Sequence, residues 1–318
     1  MTTIPATATE RDAVQSHPPA RLPEPPVRAT LGRLFIAPLM IWLALTIVLP
    51  LAYCIWISLT SANTMGGTPK FVGLSNYATI FGDGTFGPAF LRTLAWAIGG
   101  AVLQTVFAAG AALLLHQRFA GQHVARTWIM ASWVVPTIVT TFLWRWMLNA
   151  DYGVVNQLLL GAGLLDRPID FLGSPTYAFA TVVWINAWRW FPFLTLLILA
   201  ALTRIAPEYY EAAKVEGATS WQLFTKVTLP FIQPVLYVVG LLGTLWSVNV
   251  FDIIWLTTKG GPIDTTTTLP ISIYIRAFQQ FKLGEASAMS VSLALFLLLF
   301  AVVYIRFAPK GATEQEVD

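Results

Sequence analysis

The chain has 318 residues, of which 56% are hydrophobic and only 11% charged, and its mean hydropathy is +0.65. Because a soluble domain needs roughly 25% charged residues to cover its surface, this composition excludes a water-soluble globular protein. A single cysteine, Cys54, excludes an internal disulfide and a cysteine-rich metal site, and the net charge of +3 is too modest to indicate nucleic-acid binding.

The two ends of the chain are predicted to be tails outside the membrane. Residues 1–30 are rich in Pro, Ala, Thr and charge and contain no apolar run. They therefore do not read as a secretory signal peptide, and we predict a disordered tail. Residues 311–318 are predicted to form a second short tail, and residues 31–310 a single all-α transmembrane domain.

Six segments are long and apolar enough to cross a bilayer, which takes about 20 residues. An even number of spans places both termini on one side of the membrane. Lys and Arg are more concentrated on that side, so the positive-inside rule places both termini in the cytoplasm. The predicted spans are residues 34–60, 90–115, 127–148, 176–202, 231–257 and 286–307.

Between the fourth and fifth spans lies an amphipathic segment, residues 205–230. Pro207 suits the first turn of a helix, where a missing N–H costs nothing, and Gly217 suits the left-handed position that ends one. Thr219 or Ser220 then caps a second short helix, which we predict to end before Pro230. These features fit either a docking element for another protein or an ordinary cytoplasmic loop.

The same segment carries a longer pattern, Glu211-Ala212-Ala213, then Gly217, then Val227-Thr228-Leu229-Pro230. This pattern resembles the EAA loop of ABC importer permeases, with Val227 where isoleucine is usual. Four other stretches are similar to carbohydrate importer permeases of the maltose and glycerol-phosphate type: FVGLSNYATIF (71–81), WRWFPFL (188–194), FDIIWLTTKGGP (251–262) and GEASAMS (284–290).

This resemblance covers nearly the whole chain after residue 34. It implies a polytopic membrane protein with the type I ABC importer permease fold, six transmembrane helices and a cytoplasmic coupling helix. The coupling helix would seat in a groove of an ATPase subunit. The residues that the resemblance assigns to this coupling are Glu211, Ala212, Ala213, Gly217, Leu229 and Pro230.

The resemblance also implies partners and a location. The expected partners are a second homologous permease, two cytoplasmic ATPase subunits, an external sugar-binding lipoprotein and membrane lipid. No nucleic acid is expected as a partner. The expected location is the plasma membrane of a bacterium. The sequence has no G-x-x-x-x-G-K-[ST] motif to cradle nucleotide phosphates. We therefore expect ATP and Mg²⁺ on the ATPase partners, with no cofactor, metal site or enzymatic activity on this chain.

The expected substrate is a disaccharide. Trehalose is favoured, because the overall pattern is most similar to the first permease subunit of actinobacterial disaccharide importers, including mycobacterial trehalose importers. Glycerol phosphate and oligosaccharides remain alternatives. An ion-driven secondary transporter is a further one, for which Asp252 would be the only intramembrane carboxylate. A membrane enzyme is disfavoured, because no Ser/His/Asp arrangement falls on one side of the membrane.

The sugar path is predicted on spans four and five, because sugar hydroxyls inside a membrane need hydrogen-bonding partners. Positions i, i+4 and i+7 of each span share one helix face, and two further residues flank the second face. By resemblance, the six face positions match sugar-contacting positions of the larger maltose permease. The alternative is that these residues pack between helices. They are Asn186, Trp190 and Phe193, then Gly243, Ser247 and Val250, flanked by Trp246 and Asn249.

Two departures from the maltose protein and three charged residues bear on this prediction. Val250 cannot hydrogen-bond, and Trp190 is far bulkier than the small residue of the maltose protein, so the sugar pose is expected to differ. Arg189 and Asp252 are candidates for a buried ion pair between the two spans. Arg145, near the outer end of span three, is expected to snorkel to the surface.

Overall fold

The computed structural model describes residues 29–63, 65–117 and 119–307. The predicted tails lie outside these ranges, except that Ala29 and Thr30 already belong to the first helix. Within the described residues every regular element is a helix, and the only β-type pairing is an isolated bridge between Thr60 and Phe71. The all-α prediction is confirmed.

The helices follow one another in chain order, with three short π-helical turns. We number them α1 Ala29–Leu43, α2 Leu49–Ser58, α3 Ser75–Gly82, α4 Phe86–His116, α5 Gln122–Val134, α6 Thr137–Met147, α7 Val154–Gly161, α8 Ala178–Leu202, α9 Pro207–Val215, α10 Ser220–Leu223, α11 Leu229–Val248, α12 Asp252–Thr257, α13 Leu269–Tyr274 and α14 Leu283–Arg306. The π turns are Ala44–Val48, Phe224–Thr228 and Ile275–Gln279. The described residues divide into two compact units, with the boundary between Ala52 and Tyr53.

Five of the predicted spans correspond to single helical stretches of the described chain, but the third does not. The five stretches are Phe35–Ser58, Phe86–His116, Ala178–Leu202, Ser220–Val248 and Leu283–Arg306. The third span is instead broken into α5 and α6, which meet at an angle of 98°. Pro136 explains the break, because it lacks an N–H and forces the preceding Val135 into an extended conformation (ψ 131°).

The fifth span also differs from the prediction at both ends, because its helical stretch begins at Ser220 and ends at Val248. It was predicted to run to residue 257, but α11 ends at Val248, and α12 begins separately at Asp252. Between them the N–H groups of Asn249 and Val250 bond to carbonyls three residues earlier. Such tight bonds are typical of a helix terminus.

The core of the second unit is organised around α4. Three apolar clusters each include a buried residue of this helix: Ala108 with α8 and α11, Ala97 with α3, α13 and α14, and Trp96 with α8, α12 and α13. Small residues such as Ala108 and Ala112 on α4 allow neighbouring helices to approach closely. The junction of α4, α8 and α11 is therefore the centre of the unit.

Candidate functional site

Two polar side chains face each other where α4, α8 and α11 meet. Asn186 on α8 and Ser247 on α11 are both buried. Both lie against Gly100 of α4: a Cβ added there would be 3.5 Å from Asn186 Nδ2 and 3.8 Å from Ser247 Oγ. The absence of a side chain at position 100 therefore leaves room for both polar groups.

The side-chain amide of Asn186 makes no hydrogen bond to the described residues. Its side chain is fully buried, and neither Oδ1 nor Nδ2 has a hydrogen-bonding partner among the described residues. Burying an amide without such a partner costs roughly 1–3 kcal/mol by the measure of protein mutations. The Asn186 amide is therefore a candidate for binding a polar ligand.

Gln104 of α4 is a third polar residue of this junction, and sequence analysis missed it. Its side chain is buried, and its Nε2 lies 3.0 Å from where a Cβ on Gly243 would be. The available signal was a lone glutamine inside an apolar span, because buried polar groups in spans tend to be functional. The junction encloses about 10 Å³ of free space, lined by Gln104, Trp190, Leu194, Gly243, Trp246 and Ser247.

A row of aromatic rings runs from this junction to the surface. The ring centroids of Trp190 and Trp246 are 5.8 Å apart, and those of Phe193 and Trp246 are 6.0 Å apart. Phe193 also stacks on Trp133 of α5 at 5.3 Å. Trp246 is 43% exposed, so the row presents an aromatic face at the surface of the chain.

The structure thus brings five of the eight predicted path residues together at the junction, and Phe193 lies beside them. The five are Asn186, Trp190, Gly243, Trp246 and Ser247. The other two lie elsewhere. Asn249 is exposed, and its Nδ2 donates to the Leu245 carbonyl of its own helix at 2.9 Å. Val250 packs against the apolar cluster that contains Ile253 and Ile254. The break after Val248 turns both residues away from the face of α11.

The predicted ion pair between Arg189 and Asp252 is not present. None of the salt bridges between described residues joins them. Arg189 Nη1 instead donates to the Val135 carbonyl at 2.6 Å. Because Pro136 interrupts the helix, that carbonyl lacks its usual donor, and a cation at a helix C-terminus is favourable. Asp252 begins α12, where its Oδ1 accepts from the Ile253 N–H.

The predicted coupling segment forms a helix, a glycine turn and a second helix. Pro207 opens α9 as expected, and Glu208 lies in its first turn. The Ala218 N–H bonds to the Ala213 carbonyl and the Gly217 N–H to the Lys214 carbonyl, which is the Schellman pattern. Gly217 accordingly has a φ of +81°.

The second helix of this segment does not end before Pro230. Thr219 and Gln222 form a reciprocal capping box at its start. It then continues through the π turn into α11, so that Ser220–Val248 is one stretch. The Leu229 N–H bonds to the Phe224 carbonyl, one residue further back than in an α-helix, and this wider turn accommodates the missing N–H of Pro230.

The two helices of the segment are tied at their base and exposed at their tip. The Tyr210 hydroxyl lies 3.0 Å from the Thr228 hydroxyl, which joins α9 to the π turn. Val215 is 89% exposed and Trp221 is 71% exposed. The predicted coupling residues Glu211, Ala212, Gly217, Leu229 and Pro230 are exposed, and Ala213 is half-buried.

Comparison with known proteins identifies the family of this chain and two of its relatives. Residues 101–310 match the family model described as binding-protein-dependent transport system inner membrane component. The chain is 36% identical over 281 residues to the trehalose/maltose transport system permease protein MalF of Thermococcus litoralis, covering 87% of this chain and 93% of that protein. It is 30% identical over 289 residues to the trehalose transport system permease protein SugA of Mycobacterium tuberculosis, covering 88% and 91%.

The fold also resembles a solved membrane complex. A chain in the crystal structure of a bacterial alginate ABC transporter, in complex with its alginate pentasaccharide-bound periplasmic protein, superposes with a TM-score of 0.78. The sequence identity is 23%, and the match covers 90% of this chain and 96% of that one. The predicted type I importer permease fold is thereby confirmed.

Proposed function

Because this chain belongs to the family of inner membrane components of binding-protein-dependent transport systems, we propose that it forms half of the transmembrane path of an ABC importer for a neutral disaccharide. The observation that carries the proposal is the unpaired amide of Asn186, buried beside Ser247 at the junction of α4, α8 and α11. A passing sugar hydroxyl would supply the missing hydrogen bonds, and Trp190 and Trp246 would stack on a pyranose ring.

Trehalose is the substrate that we favour. The names of two relatives support it, since one is a trehalose/maltose permease and the other a trehalose permease. The polar residues at the junction, Gln104, Asn186 and Ser247, are all uncharged, which suits a neutral sugar better than a glycerol phosphate. Uptake measured over trehalose, maltose, maltotriose and glycerol 3-phosphate in cells that express the assembled importer tests this choice.

ATP hydrolysis is assigned to partner chains in this proposal. This chain would bind no nucleotide, Mg²⁺ or other cofactor and would catalyse no reaction. Two ATPase subunits would receive the α9 helix, and a second homologous permease would complete the path. An external sugar-binding lipoprotein would deliver the substrate, and the periplasmic protein bound in the alginate complex supports such a partner.

Replacing Asn186 or Trp190 with alanine should weaken transport. A single hydrogen bond is worth roughly 0.5–1.5 kcal/mol, or about 2- to 12-fold in affinity, and a lost stacking face should cost at least as much. We expect the ratio of sugar-stimulated to basal ATPase activity to fall in reconstituted complexes, while the external protein keeps its sugar affinity. Trp128→Ala is a matched control, because Trp128 is 75% exposed and outside the junction. Wild-type coupling in both junction variants would show that these side chains only pack.

The proposed orientation can be tested by cysteine labelling in a Cys54→Ser background. Ile263→Cys, at a position 85% exposed, should react with a membrane-impermeant maleimide in intact cells. Val215→Cys, at a position 89% exposed, should react only after permeabilisation. Across the chain, residues 61–88, 150–170 and 259–283 should be accessible from outside, and 117–125 and 206–226 should not. Labelling of position 215 in intact cells would reverse the orientation and remove the ATPase docking role of α9.

A further inference from the structure

A second candidate ligand site lies near the start of α8, at the opposite end of that helix from α9. A cleft of about 700 Å³ is formed by the end of α6, the loop that follows it, the 170–173 loop and the end of α12. The 170–173 loop leads into the start of α8, whereas α9 follows the end of α8. The cleft is therefore expected on the outer face in the proposed orientation, and its volume falls within the roughly 300–1,000 Å³ typical of small-molecule sites.

The side chains that line this cleft combine aromatic faces with hydrogen-bonding groups. Trp146 is 63% exposed and Tyr152 is 61% exposed. Around them lie the carboxylates of Asp151 and Asp170 and the guanidinium of Arg145. Flat aromatic faces beside carboxylates and a guanidinium offer stacking to a sugar ring and both acceptors and donors to its hydroxyls.

The frame of the cleft is held together by polar contacts. Asn149 Oδ1 accepts from the N–H groups of Asp151 and Tyr152, which fixes the turn that presents these two residues. The fully buried Asn156 bonds to the carbonyls of Asn149 and Ile169 and accepts from the Ile169 N–H, so it joins the two loops. Arg145 Nη1 donates to the Leu256 carbonyl at 3.3 Å, which ties α6 to α12.

The charges of the cleft select the class of ligand. Two carboxylates oppose one guanidinium among its lining residues, so an anionic sugar or the phosphate of a lipid headgroup would be repelled. An interfacial role for Trp146 alone would not account for Tyr152, Asp151 and Asp170, which lie beyond the end of α6. We propose that this cleft binds a neutral disaccharide at the outer mouth of the permease, an inference that rests on the proposed function.

The test uses the assembled importer in lipid nanodiscs without its external binding protein, and saturation-transfer NMR with trehalose as the probe. Within this chain the junction of α4, α8 and α11 encloses only about 10 Å³, and a trehalose signal that depends on the cleft side chains reports on the cleft. We expect Tyr152→Ala to weaken the affinity about fivefold or more and Asp151→Asn about 2- to 12-fold. Tyr152→Phe, which keeps the ring, should recover most of the loss, and Trp128→Ala, at a position outside both the cleft and the junction, should keep the signal. Glycerol 3-phosphate should give none.

Several results would overturn the cleft assignment. These are no trehalose signal at millimolar concentrations, a signal that survives both cleft variants, a signal lost in Trp190→Ala instead, or binding of glycerol 3-phosphate. If the cleft variants weaken only co-sedimentation of the external binding protein, the cleft is a protein-docking surface and the sugar assignment is wrong. Failure of the wild-type importer to take up any sugar would instead reject the proposed function, and that outcome is read from the uptake assay alone.

Discussion

Replacing Gly217 with valine is expected to reduce sugar uptake at least about fivefold and to reduce recovery of the ATPase with the permease. Gly217 has a φ of +81°, and a Cβ at this position would meet no atom within 4 Å. The cost is therefore backbone strain rather than a clash, on the order of 1–3 kcal/mol for a β-branched residue in the left-handed region. Relief of this strain would unwind the turn that orients α9 against the start of α10. Each 1.4 kcal/mol of docking energy lost in this way would weaken the affinity for the ATPase about tenfold.

Two variants isolate the coupling role of this glycine. Gly217→Asn should transport within about threefold of wild type, because asparagine tolerates the left-handed conformation. Gly121→Val imposes the same strain (φ +86°, again with no atom within 4 Å) in the loop between α4 and α5, and it should leave ATPase recovery unchanged. Normal uptake by Gly217→Val, or an equal loss of ATPase from Gly121→Val, would refute the assignment of α9 as the coupling helix.

The sequence predicted the helical spans well, because hydropathy over about 20 residues depends on composition alone. It failed where local backbone chemistry interrupts an apolar run. Pro136 was visible in the third span, but the 98° angle between α5 and α6 depends on what each helix packs against. The end of α11 at Val248 has no glycine or proline to mark it, so nothing in the pattern separated it from α12.

The candidate site was predicted in part for a similar reason. The faces of α8 and α11 follow from helical spacing, which predicted that Asn186 and Ser247 lie on the faces that the structure brings together. Gln104 was missed because its role depends on α4 packing between those two helices, which one sequence does not show. Arg189 was assigned the wrong partner, because the orphaned Val135 carbonyl exists only once Pro136 has broken the third span.

The second large effect is expected at Arg276, which joins its own π turn to the start of α14 and to the turn between α3 and α4, 193 residues away in the chain. Its guanidinium pairs with Asp83, between α3 and α4, and with Glu285 in the first turn of α14. It also donates to the Thr85 hydroxyl at 2.9 Å. The Arg276 side chain is only 8% exposed, whereas Lys282, which pairs with Glu285 at 3.1 Å, is 51% exposed.

Arg276→Met should lower the free energy of unfolding by about 3–5 kcal/mol, because it leaves the poorly solvated carboxylate of Asp83 without a cation and that of Glu285 with only the exposed Lys282. Lys282→Met is the matched control and should cost less than about 1 kcal/mol, since an exposed pair contributes little. Adding Asp83→Asn and Glu285→Gln to Arg276→Met should recover part of the loss, because no uncompensated charge then remains. Thermal unfolding of the detergent-purified complex measures all of these variants, and equal destabilisation by the Arg276 and Lys282 variants would contradict the argument.

The same cluster predicts a direction for the pH dependence. Burial works to raise the pKa of Asp83, but hydrogen bonds from Thr85 and Arg276 outweigh it and hold that pKa below its ordinary value of 3.8. A carboxyl with a lowered pKa in the folded state stabilises the fold above its ordinary pKa, and this contribution is lost as the pH falls through the lowered value. Wild type should therefore lose stability in acid over a range that begins near pH 3.8. Asp83→Asn should lose less over that range, because the amide does not titrate, and an identical acid profile in the two proteins would show that Asp83 does not contribute.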